Sequence, residues 1–263
     1  MKLLTLNCHS WQEKEQLEKI NHLAKVIKEQ DFDVIALQEV SQHMNEAQFK
    51  GNLKADNYVV VLQKALEDIG GPHYDVVWDF AHIGYDVYEE GLCLLSKHPI
   101  KDQRSIFVSQ SQDKNNWKTR NIVSITVEYN GKLIDFYSCH LGWWHDEEEP
   151  FKEQFKRLNE SINSNRQTFL LGDFNNNANV RNEGYDYIKS LGFLDTFELA
   201  KVKDEGITAR GKIDGWEANR EALRLDLVLT NSPITVNSSK VIFNGENEAV
   251  VSDHYGVIVE IEV

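Results

Sequence analysis

Short apolar runs that end in a polar or charged side chain recur along the whole chain, and this pattern limits the folds open to it. KLLTLN (2–7), DVIALQ (33–38) and TFLL (168–171) each suit one buried strand and are too short for a core helix. Between the first two, Leu17, Ile20, Ala24 and Ile27 recur at helical spacing, with charges on the other face. A second helix is predicted over about 56–69, where Tyr58, Val61, Leu62, Ala65, Leu66 and Ile69 repeat the period and Gly70-Gly71-Pro72 stops it. Further strands are predicted at 74–80, 91–96, 224–229, 241–243 and 255–263, and further helices near 151–162 and 183–190. Asn130-Gly131 suits a type I′ turn joining two β-rich arms over 121–139. The stretch 97–118 reads as irregular, and HDEEE (145–149) as a solvated loop or helix start.

Runs of strands broken by a few helices predict an α+β fold, with two mixed sheets packed face to face and helices outside. No linker or internal repeat divides the sequence, so residues 1–263 are expected to form a single domain. With 41% hydrophobic residues and four prolines, the chain can bury a core. Its 28 basic and 42 acidic residues leave a net charge of −14, which disfavours generic attraction to nucleic acid or anionic membranes. MKLLTLNCHSW lacks the long apolar segment and cleavage site of a secretory signal, so the folded chain is expected to begin at Met1. No run approaches the roughly 20 apolar residues that span a bilayer. Cys8, Cys93 and Cys139 are odd in number and irregularly spaced, which suggests neither disulfides nor a zinc site and fits the reducing cytoplasm. The sequence carries no signal for oligomeric state.

The polar residues at the strand ends are Asn7, Glu39, His140, Asp173, Asn175, Asp226, Asp253 and His254. Strand ends are rigid platforms on which a site can be built. Singly, each has a plain structural reading: Asn7 forms a turn, Glu39 is solvated, His140 is a satisfied core histidine, Asp173 and Asn175 close a turn, and Asp253-His254 caps a strand. Alternation points Asp226 to the face opposite Leu225 and Leu227, where a buried carboxylate needs a partner. Together they supply complementary parts. Glu39 and the Asn7 amide oxygen suit a hard cation such as Mg²⁺. Two histidines with carboxylate partners suit phosphate chemistry, because a carboxylate holds an imidazole in one tautomer and favours its protonated form.

LNCHSW (6–11), DVIALQEV (33–40), GLCLLSKHPI (91–100), YSCHLG (137–142), LLGDFNNN (170–177), LRLDLVL (223–229) and VSDHYGV (251–257) resemble, in order, the endonuclease/exonuclease/phosphatase superfamily. That superfamily includes pancreatic deoxyribonuclease, abasic-site endonucleases, inositol polyphosphate 5-phosphatases and neutral sphingomyelinases. The resemblance implies a four-layered α/β/β/α sandwich and metal-dependent hydrolysis of a phosphate ester at the strand ends. It implies metal binding by Asn7 and Glu39, with Mg²⁺ or Mn²⁺ as the ion, and water activation by Asp173. Asn175 and His140 would stabilise the phosphoryl group. Asp226 would set the geometry around phosphate and metal, and Asp253 would orient His254 or join the metal ligands. Arg120, in WKTRNI, matches a phosphate-binding arginine of many members, against the alternative of an exposed strand-end arginine.

The substrate must be read from variable segments. Trp143 and Trp144 follow His140 closely and could stack on a sugar or base, or simply pack. The acidic residues after them disfavour membrane insertion. His82, Tyr85 and Glu90 precede one motif strand and Trp216 precedes another, so all four are candidates to edge the pocket. Acidic side chains and flat indoles are what carbohydrate hydroxyls and ring faces require. CHLGWWHDEEEPF, NCHSW and HIGYDVYEEG look like a bacterial branch of the superfamily that includes maltose 6′-phosphate phosphatase. The expected activity is hydrolysis of a small phosphomonoester, a sugar phosphate such as that disaccharide phosphate. The alternatives are a nuclease or sphingomyelinase-like phosphodiesterase, for which no basic stripe beyond KTR (118–120) is visible, and an inactive binding module, which should lack a metal or histidine position.

Overall fold

The computed structural model describes residues 1–263, whose main strands form two large sheets. The first has seven strands in the order Val202–Lys203, Thr235–Ile242, Gly256–Glu262, Lys2–Asn7, Val34–His43, Tyr88–Ser96, Asp75–Gly84. The second has six, in the order Leu194–Asp195, Asp226–Thr230, Gln167–Asp173, Lys132–His140, Asn121–Tyr129, Ile100–Phe107. Both sheets are mixed. Lys2–Asn7 runs parallel to Val34–His43 and antiparallel to Gly256–Glu262, while Gln167–Asp173 runs parallel to Lys132–His140 and antiparallel to Asp226–Thr230.

Strand alternation builds the layers. Leu3, Val34, Ala36, Leu92 and Leu94 pack with Ile125, Phe136 and Phe169 of the second sheet. Their sequence neighbours Leu4, Leu6, Ile35 and Leu37 face the other way and meet Ile20, Leu23, Ala24 and Ile27 of helix Gln16–Gln30 and Leu62 and Leu66 of helix Tyr58–Asp68. Phe151, Phe155 and Leu158 of helix Phe151–Ser161 and Ile188 of helix Gly184–Ser190 join the core of the second sheet. Each large apolar side chain taken from water contributes roughly 1.5–3 kcal/mol, so both faces of both sheets must be covered. The result is an α+β fold of two face-to-face mixed sheets with helices outside. Asn57 starts the second helix, its Oδ1 accepting the Val59 N–H at 3.0 Å. No helix is long and apolar enough to cross a membrane.

Three local expectations are corrected. Residues 97–118 are not all irregular, for Ile100–Phe107 is a strand pairing antiparallel with Asn121–Tyr129. Its exposed central residues, KDQRS, hide the periodicity because an edge strand tolerates charge on both faces. Leu17 does not face the core but is 59% exposed, and Gln16 and Leu23 occupy the buried stripe. The HDEEE stretch is not simply solvated. Glu149 is buried and accepts the N–H groups of Gln110 and Ser111, both at 2.7 Å, and Asp146 pairs with Lys118 at 2.9 Å.

Candidate active site

Register brings three of the candidate residues into one row. Asp173 stands opposite His140 on its parallel neighbour and opposite Asp226 on its antiparallel neighbour. The facing sheet contributes Asn7 at the end of its strand and Glu39 from a bulge, where pairing slips between Leu37 and Val40 and Glu39 adopts φ 53°. A bulge re-aims a side chain, and here it turns the carboxylate into the cavity. A second slip, between Phe80 and His82, accompanies the placement of His82 on the cavity wall. Gln38 ties the sheets together beneath, accepting from Thr5 Oγ1 at 3.3 Å and donating to Ser138 Oγ at 3.0 Å. The sequence reading passed over Gln38, because a glutamine at a strand end has no local signature of a bridge.

The polar atoms converge on Asp173. Its Oδ2 lies 3.3 Å from Asn7 Nδ2, 3.8 Å from His140 Nε2 and 3.7 Å from His254 Nε2, while Oδ1 accepts the Asn175 N–H at 2.8 Å. Asn7 Nδ2 also donates to Glu39 Oε1 at 2.7 Å. Burial, reinforced by Asp226, raises the Asp173 carboxyl to about 6 despite the opposing pull of His254. Burial and the like charge of Glu90 raise Glu39 to about 8. Both carboxylates are thereby destabilised as anions unless a cation joins them.

The two histidines differ. Burial pulls His254 down, but Asp226, whose Oδ2 lies 2.9 Å from Nδ1, and Asp173 together hold it well above the usual imidazole value. His140 goes the other way: burial, Arg120 and the neighbouring His82 and His254 push it well below that value. Its carboxylate neighbours are 3.8–3.9 Å away, beyond hydrogen-bond length, so they do not rescue the charge. The two histidines are thus shifted in opposite directions, where the sequence suggested that carboxylates favour the protonated form of both. The expectation that Asp253 orients His254 is corrected. Asp253 accepts the Asp214 N–H at 3.1 Å and lies 3.6 Å from His9 Nδ1, while the hydrogen bond to His254 Nδ1 comes from Asp226.

A cavity of about 280 Å³ opens above these groups. Glu39, His140, Asp173, Asn175, His254 and Arg120 form its polar interior, and His82, Tyr85, Glu90 and Trp143 also line it. Arg120 is buried rather than exposed, donates through Nη1 to the carbonyls of Trp117 and Thr119, and has a buried Nε–H without a protein partner. Trp144 does not line the cavity and packs against Phe151 and Tyr187. Trp216 also stands behind the wall, against Ile213 and Leu223, with Nε1 donating to Asn175 Oδ1 at 2.9 Å. Trp117, Asp214 and Glu217 complete the rim and were missed. Trp117 lay in the stretch read as irregular, and Asp214 and Glu217 flank the tryptophan that was singled out, so chain proximity was their only signal.

The donor set fits a hard divalent cation. Glu39, half-buried, and Asp173, buried, are carboxylates crowded by like charge, and Asp226 Oδ1 is buried without a hydrogen-bond partner. Asp173, Asp226 and His254 also have ligand atoms within 4.8 Å of one another. The Asn7 oxygen accepts the His9 N–H at 3.2 Å while Nδ2 faces Glu39, so Asn7 offers oxygen to an ion beside Glu39 only after its amide turns over.

Carboxylates, histidines and amides thus gather at the strand ends of a two-sheet sandwich. The chain belongs to the endonuclease/exonuclease/phosphatase family, which it matches over residues 6–254. That family of hydrolases has phosphatase, nuclease and phosphodiesterase members, and its enzymes generally depend on a divalent metal. The chain is similar in structure to an endonuclease/exonuclease/phosphatase family protein from Leptotrichia buccalis, at TM-score 0.94 and 38% identity over 100% of both chains. It shares its fold with a mannosyl-6-phosphatase of Bacteroides thetaiotaomicron, at TM-score 0.73 and 16% identity over 100% of both chains. A truncated TDP2 of Caenorhabditis elegans gives TM-score 0.71 and 16% identity over 100% of this chain and 97% of that one. A search of curated proteins by sequence finds no match.

Proposed function

We propose that this protein is a metal-dependent phosphomonoesterase acting on a small sugar phosphate, a disaccharide phosphate such as maltose 6′-phosphate. The observation that carries this reading is the division of one small cavity into two kinds of wall. Arg120, His140, Asn175 and His254 line it together, suited to one phosphoryl group, and Trp117, Trp143, Tyr85, Asp214 and Glu217 line it too. Flat aromatic faces and carboxylates suit sugar rings and hydroxyls. The same carboxylates repel a leaving group that carries further phosphates, as nucleic acid does. That a mannosyl-6-phosphatase shares this fold agrees with the reading.

Asp173 orients the attacking water and takes its proton, a task suited to a carboxyl raised to about 6. The water oxygen bonds to phosphorus as the phosphorus–oxygen ester bond breaks, and the departing sugar oxygen takes up a proton from solvent to leave as a hydroxyl. The His254 imidazolium, the Arg120 guanidinium and the Asn175 amide stabilise the charge spread over the phosphoryl oxygens, and His140 adds a hydrogen bond. Glu39, with the Asn7 oxygen once its amide is turned, would hold the divalent cation, Mg²⁺ or Mn²⁺, which would neutralise phosphoryl charge when bound. Three free, buried cysteines are consistent with action in the cytoplasm.

Release of inorganic phosphate from a panel of sugar phosphates, with Mg²⁺ or with EDTA, tests the proposal beside nicked plasmid and sphingomyelin. Metal-dependent phosphate release from a disaccharide phosphate is expected. Plasmid nicking or sphingomyelin cleavage without phosphate release would sink the phosphatase reading.

A further inference from the structure

Residues 211–221 contain neither helix nor strand, yet they are fastened to the cavity wall at consecutive positions. Asp214 accepts the Tyr85 hydroxyl at 2.6 Å, and its own N–H donates to Asp253 at 3.1 Å. Gly215, at φ 73°, sits so close to Trp143 that a Cβ would approach its ring to 2.7 Å. Trp216 then reaches behind the wall and donates its indole N–H to Asn175 Oδ1 at 2.9 Å.

The chemistry of that last bond settles how Asn175 is presented. An indole N–H donates and cannot accept, so the amide atom facing Trp216 is oxygen. The other end is fixed by the Leu141 carbonyl, which only accepts and lies 2.9 Å from Nδ2. One Nδ2 hydrogen is thus spent on Leu141, and the second remains for the cavity that Asn175 lines. Asn175 itself sits at φ 48° with its N–H on Asp173, so backbone and side chain are both held.

We propose that Trp216 is a positioning residue, which locks the Asn175 amide so that its free N–H faces the reacting phosphoryl group. The role rests on the reading of this centre as a phosphoester hydrolase. Without the indole N–H, Oδ1 loses its donor and only the Leu141 carbonyl still holds the amide, so its free N–H is less firmly aimed. The indole ring packs on Ile213, Leu223 and Leu225, so Trp216→Phe keeps the apolar contact and deletes the hydrogen bond.

A double-mutant cycle with Asn175→Ala tests the coupling. Trp216→Phe should lower kcat for phosphate release about tenfold with little change in KM, because placement rather than binding is lost. In the Asn175→Ala background the same substitution should change kcat less than twofold. Equal losses in both backgrounds, or no loss in the wild-type background, would overturn the proposal. If Trp216→Phe does not fold, 3-benzothienylalanine at position 216 preserves the shape of the indole without its N–H and gives the same comparison. Independently of any substrate, the Trp216 indole proton should exchange slowly with solvent in wild-type protein and much faster in Asn175→Ala. Equal exchange rates would refute the latch, whereas a wild-type protein that hydrolyses no phosphoester refutes only the proposed function.

Discussion

Asp226 accepts the Nδ1 proton of His254 at 2.9 Å although Asp253 is the sequence neighbour of that histidine. Both members of the pair are buried, and Thr208 holds the carboxylate strand in place by accepting the N–H groups of Leu225 and Asp226 through its hydroxyl. Asp226→Asn should therefore remove the charge that keeps His254 protonated. Turnover is expected to fall on the order of 10²–10³, the usual loss for one group stabilising transition-state charge. Phosphate-release assays with circular dichroism as a fold check measure this, and a folded variant with near wild-type turnover would contradict it.

Metal should be visible without any substrate. An ion that binds only the folded state stabilises it by about 2.7 kcal/mol at a hundredfold excess over its Kd. Mg²⁺ is expected to raise the thermal midpoint, EDTA to reverse the effect, and Glu39→Gln to abolish it. A midpoint that moves equally in wild type and Glu39→Gln would remove Glu39 from the ligand set.

Gly172 sits one residue before Asp173 at φ 151°, and a Cβ there would come within 1.9 Å of the Cys139 carbonyl oxygen on the paired strand. Neither backbone can yield without separating Asp173 from His140. Gly172→Ala should cost about 3 kcal/mol or more, combining steric overlap with a strained backbone. Urea unfolding monitored by tryptophan fluorescence gives the value, and an unchanged midpoint would show that the paired strands part without cost.

Arg224 and Asp195 form a buried ion pair under the Tyr185 ring, with Nη1 to Oδ2 at 2.8 Å and the Tyr185 hydroxyl donating to the same oxygen at 2.7 Å. Truncating one partner strands the other charge out of water. Asp195→Ala should destabilise by roughly 3–5 kcal/mol, while joint replacement by Asp195→Leu and Arg224→Met should cost much less. Chemical denaturation of the single and double variants decides between a pair that is merely tolerated and one that is required.

His9 and Glu13 give stability a defined pH window. Burial opposes both charges, yet their 2.8 Å contact, with help from Asp253 and Lys19, raises His9 to about 9 and lowers Glu13 to about 2. A raised histidine contributes fully below its ordinary value of 6.5 and loses that contribution as pH rises through about 9. A lowered glutamate contributes above its ordinary 4.5 and loses it as pH falls through about 2. The pair should thus support a plateau between those ordinary values, with declines on both sides, and Glu13→Gln should flatten both flanks in a pH series of thermal midpoints. Identical profiles for the two proteins would rule the pair out as a source of pH dependence.

Much of this arrangement was written locally. Alternation along KLLTLN and DVIALQ sends Leu4 and Ile35 to one side and Leu3 and Val34 to the other, which calls for covering layers on both faces. The donors at the strand ends were legible for the same reason, since a polar residue that closes an apolar run has few places to go except the sheet edge. What tertiary structure alone decided were the partnerships. Asp226 rather than Asp253 holds His254, Trp143 rather than Trp144 reaches the cavity, and Trp216 turns its N–H to Asn175 instead of its face to a ligand. The opposite shifts of His140 and His254 depend on Arg120, Asp226 and burial acting together. Strand periodicity is a property of neighbouring residues, whereas hydrogen-bond partners and local dielectric arise from register between segments tens to hundreds of residues apart.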